Sequence, residues 1–174
     1  MAIPGNDPYV SLAVASIGHY ILNGRLLPRP GHLPVEMIEQ CAGVFVSLHL
    51  NGSLRGCIGT ISPAQPCIAD EIIHNAVSAS AHDPRFEPVR GDELPGMEYS
   101  VDVLKKPEDI SDLSQLDVMK YGVIVSSGMR RGLLLPNLEG VKTVEEQIAI
   151  AREKAGIRLR EPVNIQRFEV VRHQ

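Results

Sequence analysis

The chain of 174 residues is long enough for one full-sized domain or two small lobes, and too short for two independent domains of ordinary size. An apolar fraction of 44% beside 22% charged residues is the balance of a chain that folds, which excludes a disordered tail or a fibre. With 17 basic against 21 acidic residues the formal net charge is -4, so no bulk charge draws the molecule to phosphate backbones or anionic lipid, and no nucleic acid and no membrane is expected as a partner.

Residues 1–6 lack the basic segment that opens a secretory signal, and no later stretch approaches the roughly 18 consecutive apolar residues of a membrane-spanning helix. The expected location is therefore cytoplasmic. Asp7-Pro8 supplies an N-cap and a first-turn proline, Val10, Val14, Ile17 and Ile21 recur at helical spacing, and Gly24 is a stop, which predicts a helix over 8–23. Pro28, Pro30, Gly31 and Pro34 predict a wrapped loop, with a short helical turn over 35–40. Val44–Leu50 and Ser53–Ile61 flank Asn51-Gly52, the strongest short hairpin signal, because both turn residues take positive φ. A two-residue loop registers Val46 opposite Cys57, and places Val44, Val46, Leu48 and Leu50 on one face and Phe45, Leu54 and Ile58 on the other. Both faces read as covered, so this hairpin is expected at the centre of its sheet.

Pro66 opens a second helix over 66–81, with Ala69, Ile72, Ile73 and Ala76 on one face and a stop at His82-Asp83-Pro84. Met97, Tyr99, Val101 and Val103 alternate with polar residues as in a half-buried strand, which Lys105-Lys106-Pro107 ends. Gly122–Val125 and Gly132–Leu135 around Ser127-Gly128 predict a second hairpin. Thr143 with Glu146 forms a capping box for a helix that Gly156 closes, and Phe168–Arg172 reads as a last strand. This order suits an α+β fold with antiparallel sheet better than a doubly wound parallel one.

Chemistry concentrates in two places. Arg55, Gly56, Cys57, Ile58, Gly59 and Thr60 interrupt a strand with two glycines and a thiol. Glycine weakens strands, so its presence there marks either a close approach of backbone or ligand, or a bulge. Arg55 and Cys57, two apart, share a face of a regular strand, and a neighbouring guanidinium favours a thiolate. Cys57 equally suits a small buried hydrophobe in a tight hairpin. At His82-Asp83-Pro84-Arg85-Phe86 a helix end brings an imidazole, a carboxylate and a guanidinium together outside regular structure. His82 is the best-situated general base for Cys57, with His49 its rival, while Asp83 can also serve only to cap the turn and pair with Arg85. Arg130-Arg131 adds two charges at the second hairpin, where Arg131 could grip an anion or remain solvated. Cys41, Cys57 and Cys67 are odd in number with no Cys-x-x-Cys pair, which suggests neither a disulfide framework nor a metal site. No Walker or dinucleotide loop and no metalloprotease or serine-hydrolase motif is present.

The segment Arg55–Thr60, with His82–Phe86, Glu93-Leu94-Pro95, Arg131–Pro136 and Lys154-Ala155-Gly156, in that order between about Tyr9 and Val171, resembles the AMMECR domain family. The resemblance implies an α+β fold of two unequal lobes, antiparallel sheet with packed helices and a cleft between the lobes. It implies a single such domain over 1–174, with a smaller lobe of about 111–160 inserted in the larger. It also implies the setting of the AmmeMemoRadiSam system, in which such a protein is encoded beside or fused to a Memo-like protein related to extradiol dioxygenases, together with a radical SAM protein. It supplies a suspicion of enzymatic activity at Arg55–Gly59 but no reaction, substrate or cofactor. Two positions depart from the family pattern: Met119-Lys120-Tyr121-Gly122 stands where many members have Gly-Lys-His-Gly, and Ala151 stands where a cysteine is frequent.

Two functions are therefore expected to compete. In the first, Cys57 is a nucleophile, Arg55 favours its thiolate, and His82 or Asp83 manages protons, with Gly56, Gly59, Thr60, Arg85 and Arg131 as binding residues. In the second, the same hairpin and its arginines form a non-catalytic module that docks a partner or a small anion. Under either, Arg55, Cys57, His82, Asp83 and Arg85 are expected to line one concave surface between the lobes.

Overall fold

In the computed structural model, which describes residues 7–174, the elements in chain order are α1 (Pro8–Asn23), α2 (Val35–Glu39), β1 (Val44–Leu50), β2 (Ser53–Gly59), α3 (Ile68–Ala81), β3 (Met97–Leu104), β4 (Glu108–Asp109), β5 (Gly122–Ser127), β6 (Arg130–Leu134), α4 (Val144–Lys154), β7 (Asn164–Phe168) and β8 (Val170–His173). Residues 1–6, read above for a leader, lie outside the described residues. Among the described residues no helix is long and apolar enough to cross a membrane. The α+β class with antiparallel pairing is the one observed. The chain divides into two compact units, the first reaching Leu104 and resuming at Val171–Gln174, the second running Lys105–Val170.

The first unit has the sheet order β2-β1-β3-β8. Its helices form where the local signals lie: Asp7 accepts the N–H groups of Tyr9 and Val10 to cap α1, and Pro8 occupies the first turn. Alternation then sorts β1, so that Val44, Val46 and Leu48 are fully enclosed against Ala13 and Ile17 of α1 and Ile72 and Ala76 of α3. β3 continues that face with Val101 opposite Val46 and Tyr99 opposite Leu48.

Three expectations fail here. β2 is an edge strand rather than a central one. The loop has two residues, Leu50 pairing with Ser53, but a bulge between Leu48 and His49 shifts the register, so Cys57 stands opposite Ser47 and Val46 opposite Ile58. Ile58 therefore joins the face of Val46, packed against the core, and Phe45 faces the other way opposite Gly59. One extra residue in one strand is enough to exchange the faces of everything beyond it.

The second unit has the order β4-β7-β5-β6, with Ala151 of α4 in one apolar cluster with Val123, Val125 and Leu134 of the sheet. The Thr143 hydroxyl accepts the Glu146 N–H and the Glu146 carboxylate accepts the Thr143 N–H, the capping box expected. The single last strand expected over 168–172 is two strands, β7 and β8, which belong to different sheets.

Candidate functional site

The edge position of β2 leaves the main chain of Cys57 unpaired on its outer side, and an unpaired edge needs a partner. The loop after α3 supplies it. The Cys57 N–H donates to Asp83 Oδ2 at 3.0 Å, and Arg85 Nη2 donates to the Cys57 carbonyl at 3.0 Å. Asp83 and Arg85 are in turn locked together, Nε to Oδ1 at 2.9 Å and Nη2 to Oδ2 at 2.7 Å. The Asp83 side chain is only 1% exposed, and its hydrogen bonds to Arg85 hold its carboxyl at about 2 against the opposing effect of burial. On the sheet face the Ser47 hydroxyl donates to Cys57 Sγ at 3.3 Å, and the thiol itself is half-buried.

A second clamped arginine stands on the same face. Cys57, Ser47 and Ser100 form one row across β2, β1 and β3, and Asp102 lies two residues further along β3. Arg172 of β8 forks onto that buried carboxylate, Nε to Oδ1 at 2.7 Å and Nη2 to Oδ2 at 3.0 Å. The bond to Asp102 raises the Arg172 pKa, as the bond to Asp83 raises that of Arg85. Arg85 reaches the main chain of Cys57 and Arg172 stands over the same sheet face, each guanidinium held by a buried aspartate. Ser100 also lines a depression of about 370 Å³ that includes His49 and Glu98.

The structure brings Cys57, Asp83 and Arg85 together and sends the other sequence candidates elsewhere. Arg55, at the bulge, turns to Glu93, with Nε 2.8 Å from Oε1, and donates to the carbonyl of Glu87 at 2.8 Å. That pairing holds the Glu93 carboxyl below its usual range. His82 is exposed and meets the ring of Tyr20 edge-on at 5.9 Å. Thr60 braces the chain: its hydroxyl donates to the buried Glu71 at 2.6 Å, whose other oxygen accepts the Ala64 and Gln65 N–H groups. Gly56 lies under the Ala79 carbonyl of α3, and Gly59 lies under the ring of Phe45. Arg131 belongs to the second unit, exposed on β6 and 3.5 Å from Gln166 Oε1. Ser47, Asp102 and Arg172 were not among the sequence candidates. Alternation along β1 could have found Ser47, whereas 70 positions separate Asp102 from Arg172 and no local pattern links them. Among the described residues no three His, Cys, Asp or Glu side chains are grouped to hold a metal ion.

The sequence model of the AMMECR1 family matches residues 10–173. A protein of Thermotoga maritima is 49% identical over 172 residues, which takes in 98% of this chain and 99% of the relative. A Clostridium acetobutylicum protein is 52% identical over 169 residues, 97% of this chain but 36% of the relative, so the chain spans about a third of that protein's length. The crystal structure of an uncharacterized Pyrococcus horikoshii protein superposes with a TM-score of 0.87 at 32% identity, over 94% of this chain and 88% of that one. The sequence match runs from α1 into β8 and the structural match from nearly one end of the fold to the other, so this chain belongs to the AMMECR1 family.

Proposed function

We propose that the protein is a cysteine-dependent enzyme, or the thiol-bearing component of one, with Cys57 as its nucleophile. The observation that carries this reading is the pinning of Cys57: Asp83 and Arg85 take both main-chain groups, Ser47 donates to the sulfur, and the Arg85 guanidinium is fixed against the same residue. Positive charge beside a partly exposed thiol is the setting in which cysteines react as thiolates. Asp83 acts as a positioning residue. Its carboxyl is ionised and committed to four donors, so it fixes the strand and the Arg85 fork rather than carrying protons. A working thiol also needs a reducing compartment, and on that ground we place the protein in the cytoplasm. The partners proposed are a Memo-like protein and a radical SAM protein, and the additional length of the Clostridium relative supports a linked partner.

Alkylation of the native protein with iodoacetamide tests the nucleophile. Cys57 is expected to react faster than the exposed Cys41, and Arg85→Ala and Arg172→Ala are each expected to slow it. A Cys57 rate no faster than that of an ordinary exposed thiol counts against the reading. A second reading has its own support, since the Arg85 side chain is held in place by Asp83 yet 54% exposed, as a charged docking residue would be. A non-catalytic module predicts that Cys57→Ser keeps its affinity for the Memo-like partner while Arg85→Glu loses it.

A further inference from the structure

The second unit carries a concave surface of about 310 Å³ that the Cys57 reading does not use, lined among others by Lys105, Lys106, Glu108, Tyr121, Arg167 and Glu169. Its charges are held by the fold. Glu108 of β4 is the register partner of Arg167 on β7, and the guanidinium Nε lies 3.1 Å from its carboxylate. Arg167 also donates to the Gln115 carbonyl at 2.8 Å and sits over the Tyr121 ring, 4.4 Å from its centre, with the Lys120 ammonium 4.9 Å from the same ring. Glu169 lies between Lys105 at 2.8 Å and Lys120 at 3.7 Å, and these lysines, Lys105 foremost, keep its carboxyl below the usual range. Lys106 is exposed and has no acceptor among the described residues. Three cations, Lys105, Lys106 and Arg167, thus line the surface beside two carboxylates, and Lys120 stands next to it against Glu169, an excess of positive charge in a chain whose formal net charge is -4.

Scattered surface lysines spend their charge on water, but a concavity focuses it, and a guanidinium fixed on an aromatic ring loses little freedom when it binds. We propose that this pocket binds the phosphate group of a small molecule, as free phosphate or a monoester, with Lys105, Lys106 and Arg167 as its donors. A phosphate carries nearly two negative charges at neutral pH and offers three strong acceptor oxygens, which suits three donors better than the two oxygens of a single carboxylate do.

Amide chemical shifts of the full chain, titrated with inorganic phosphate and separately with glycerol 3-phosphate, test this against potassium chloride at equal ionic strength. The expected result is saturable shifts confined to 105–108, 120–122 and 167–169. Lys106→Glu should weaken the binding at least about tenfold, roughly 1.4 kcal/mol. Arg167→Lys should weaken it too, while Arg25→Glu, at an exposed position of the first unit, should leave it unchanged. Tighter binding of the ester names an ester as the ligand, and equal binding names the free ion. Shifts that do not saturate, that chloride reproduces, or that Lys106→Glu leaves intact in a folded protein overturn the proposal. The pocket uses no residue of the Cys57 site, so either assignment can fail without the other.

Discussion

Asp83 shows how much one side chain can decide. A carboxylate 1% exposed is costly to bury unless its oxygens are occupied, and here two N–H groups and two guanidinium donors occupy them. Its folded pKa of about 2 lies below the ordinary 3.8, so its stabilising contribution is fully present above pH 4 and is lost as the pH falls from about 4 through about 2. That shift corresponds to about 2 kcal/mol at neutral pH. Asp83→Asn is therefore expected to be at least about 2 kcal/mol less stable at pH 7, and to lose less stability than the parent between pH 5 and pH 2.5. Urea unfolding of both proteins across that range measures the difference, and parallel pH curves would assign the acid sensitivity to other carboxylates.

The recurring element is a hairpin with a helix pressed on a glycine of its second strand. In the first unit a Cβ at Gly56 would strike the Ala79 carbonyl of α3, and in the second a Cβ at Gly132 would strike the Ala151 carbonyl of α4. These glycines keep helix and sheet at close range, a reason that strand propensity does not contain. Ala151 is fully buried here beneath this contact. Gly56→Val meets backbone rather than a flexible side chain, so α3 must move or β2 must detach. The expected cost is at least about 3 kcal/mol, read as a lowered urea midpoint, with Cys57 released from Asp83 and its alkylation rate brought toward that of a free thiol. A midpoint within experimental error of the parent would show that the contact relaxes freely.

At the scale of the molecule, the second unit is one continuous segment set between β3 and β8, and its two ends meet. The Lys105 N–H donates to the Glu169 carbonyl at 2.9 Å, and the Lys105 ammonium pairs with the Glu169 side chain at 2.8 Å. Each unit encloses its own apolar cluster. Closing a gap between neighbouring ends costs little loop entropy. Replacement of residues 105–170 by a short glycine-serine linker is therefore expected to leave the first unit folded, with cooperative thermal unfolding by circular dichroism and Cys57 alkylation at the parent rate. Loss of cooperativity would show that the first unit depends on the segment removed.

What the sequence alone determined is what lies within a few residues: α1 from Asp7-Pro8 and its apolar spacing, the Asn51-Gly52 turn, the Thr143 and Glu146 box, and the alternation of β3. These depend on contacts between positions two to four apart, where local chemistry decides the backbone. The candidate cysteine and the Asp83-Arg85 turn were legible for the same reason, as residue types that regular structure does not call for. The tertiary structure decided the rest. The bulge at Leu48 and His49, the edge position of β2 and the division of the last strand into β7 and β8 each depend on which distant strand wins a pairing. So does the company of Cys57: Arg55, its neighbour in the chain, was drawn to Glu93, while Asp83, 26 positions on, took its N–H, because burial and an unpaired edge select partners by place in the fold and not by distance along the chain.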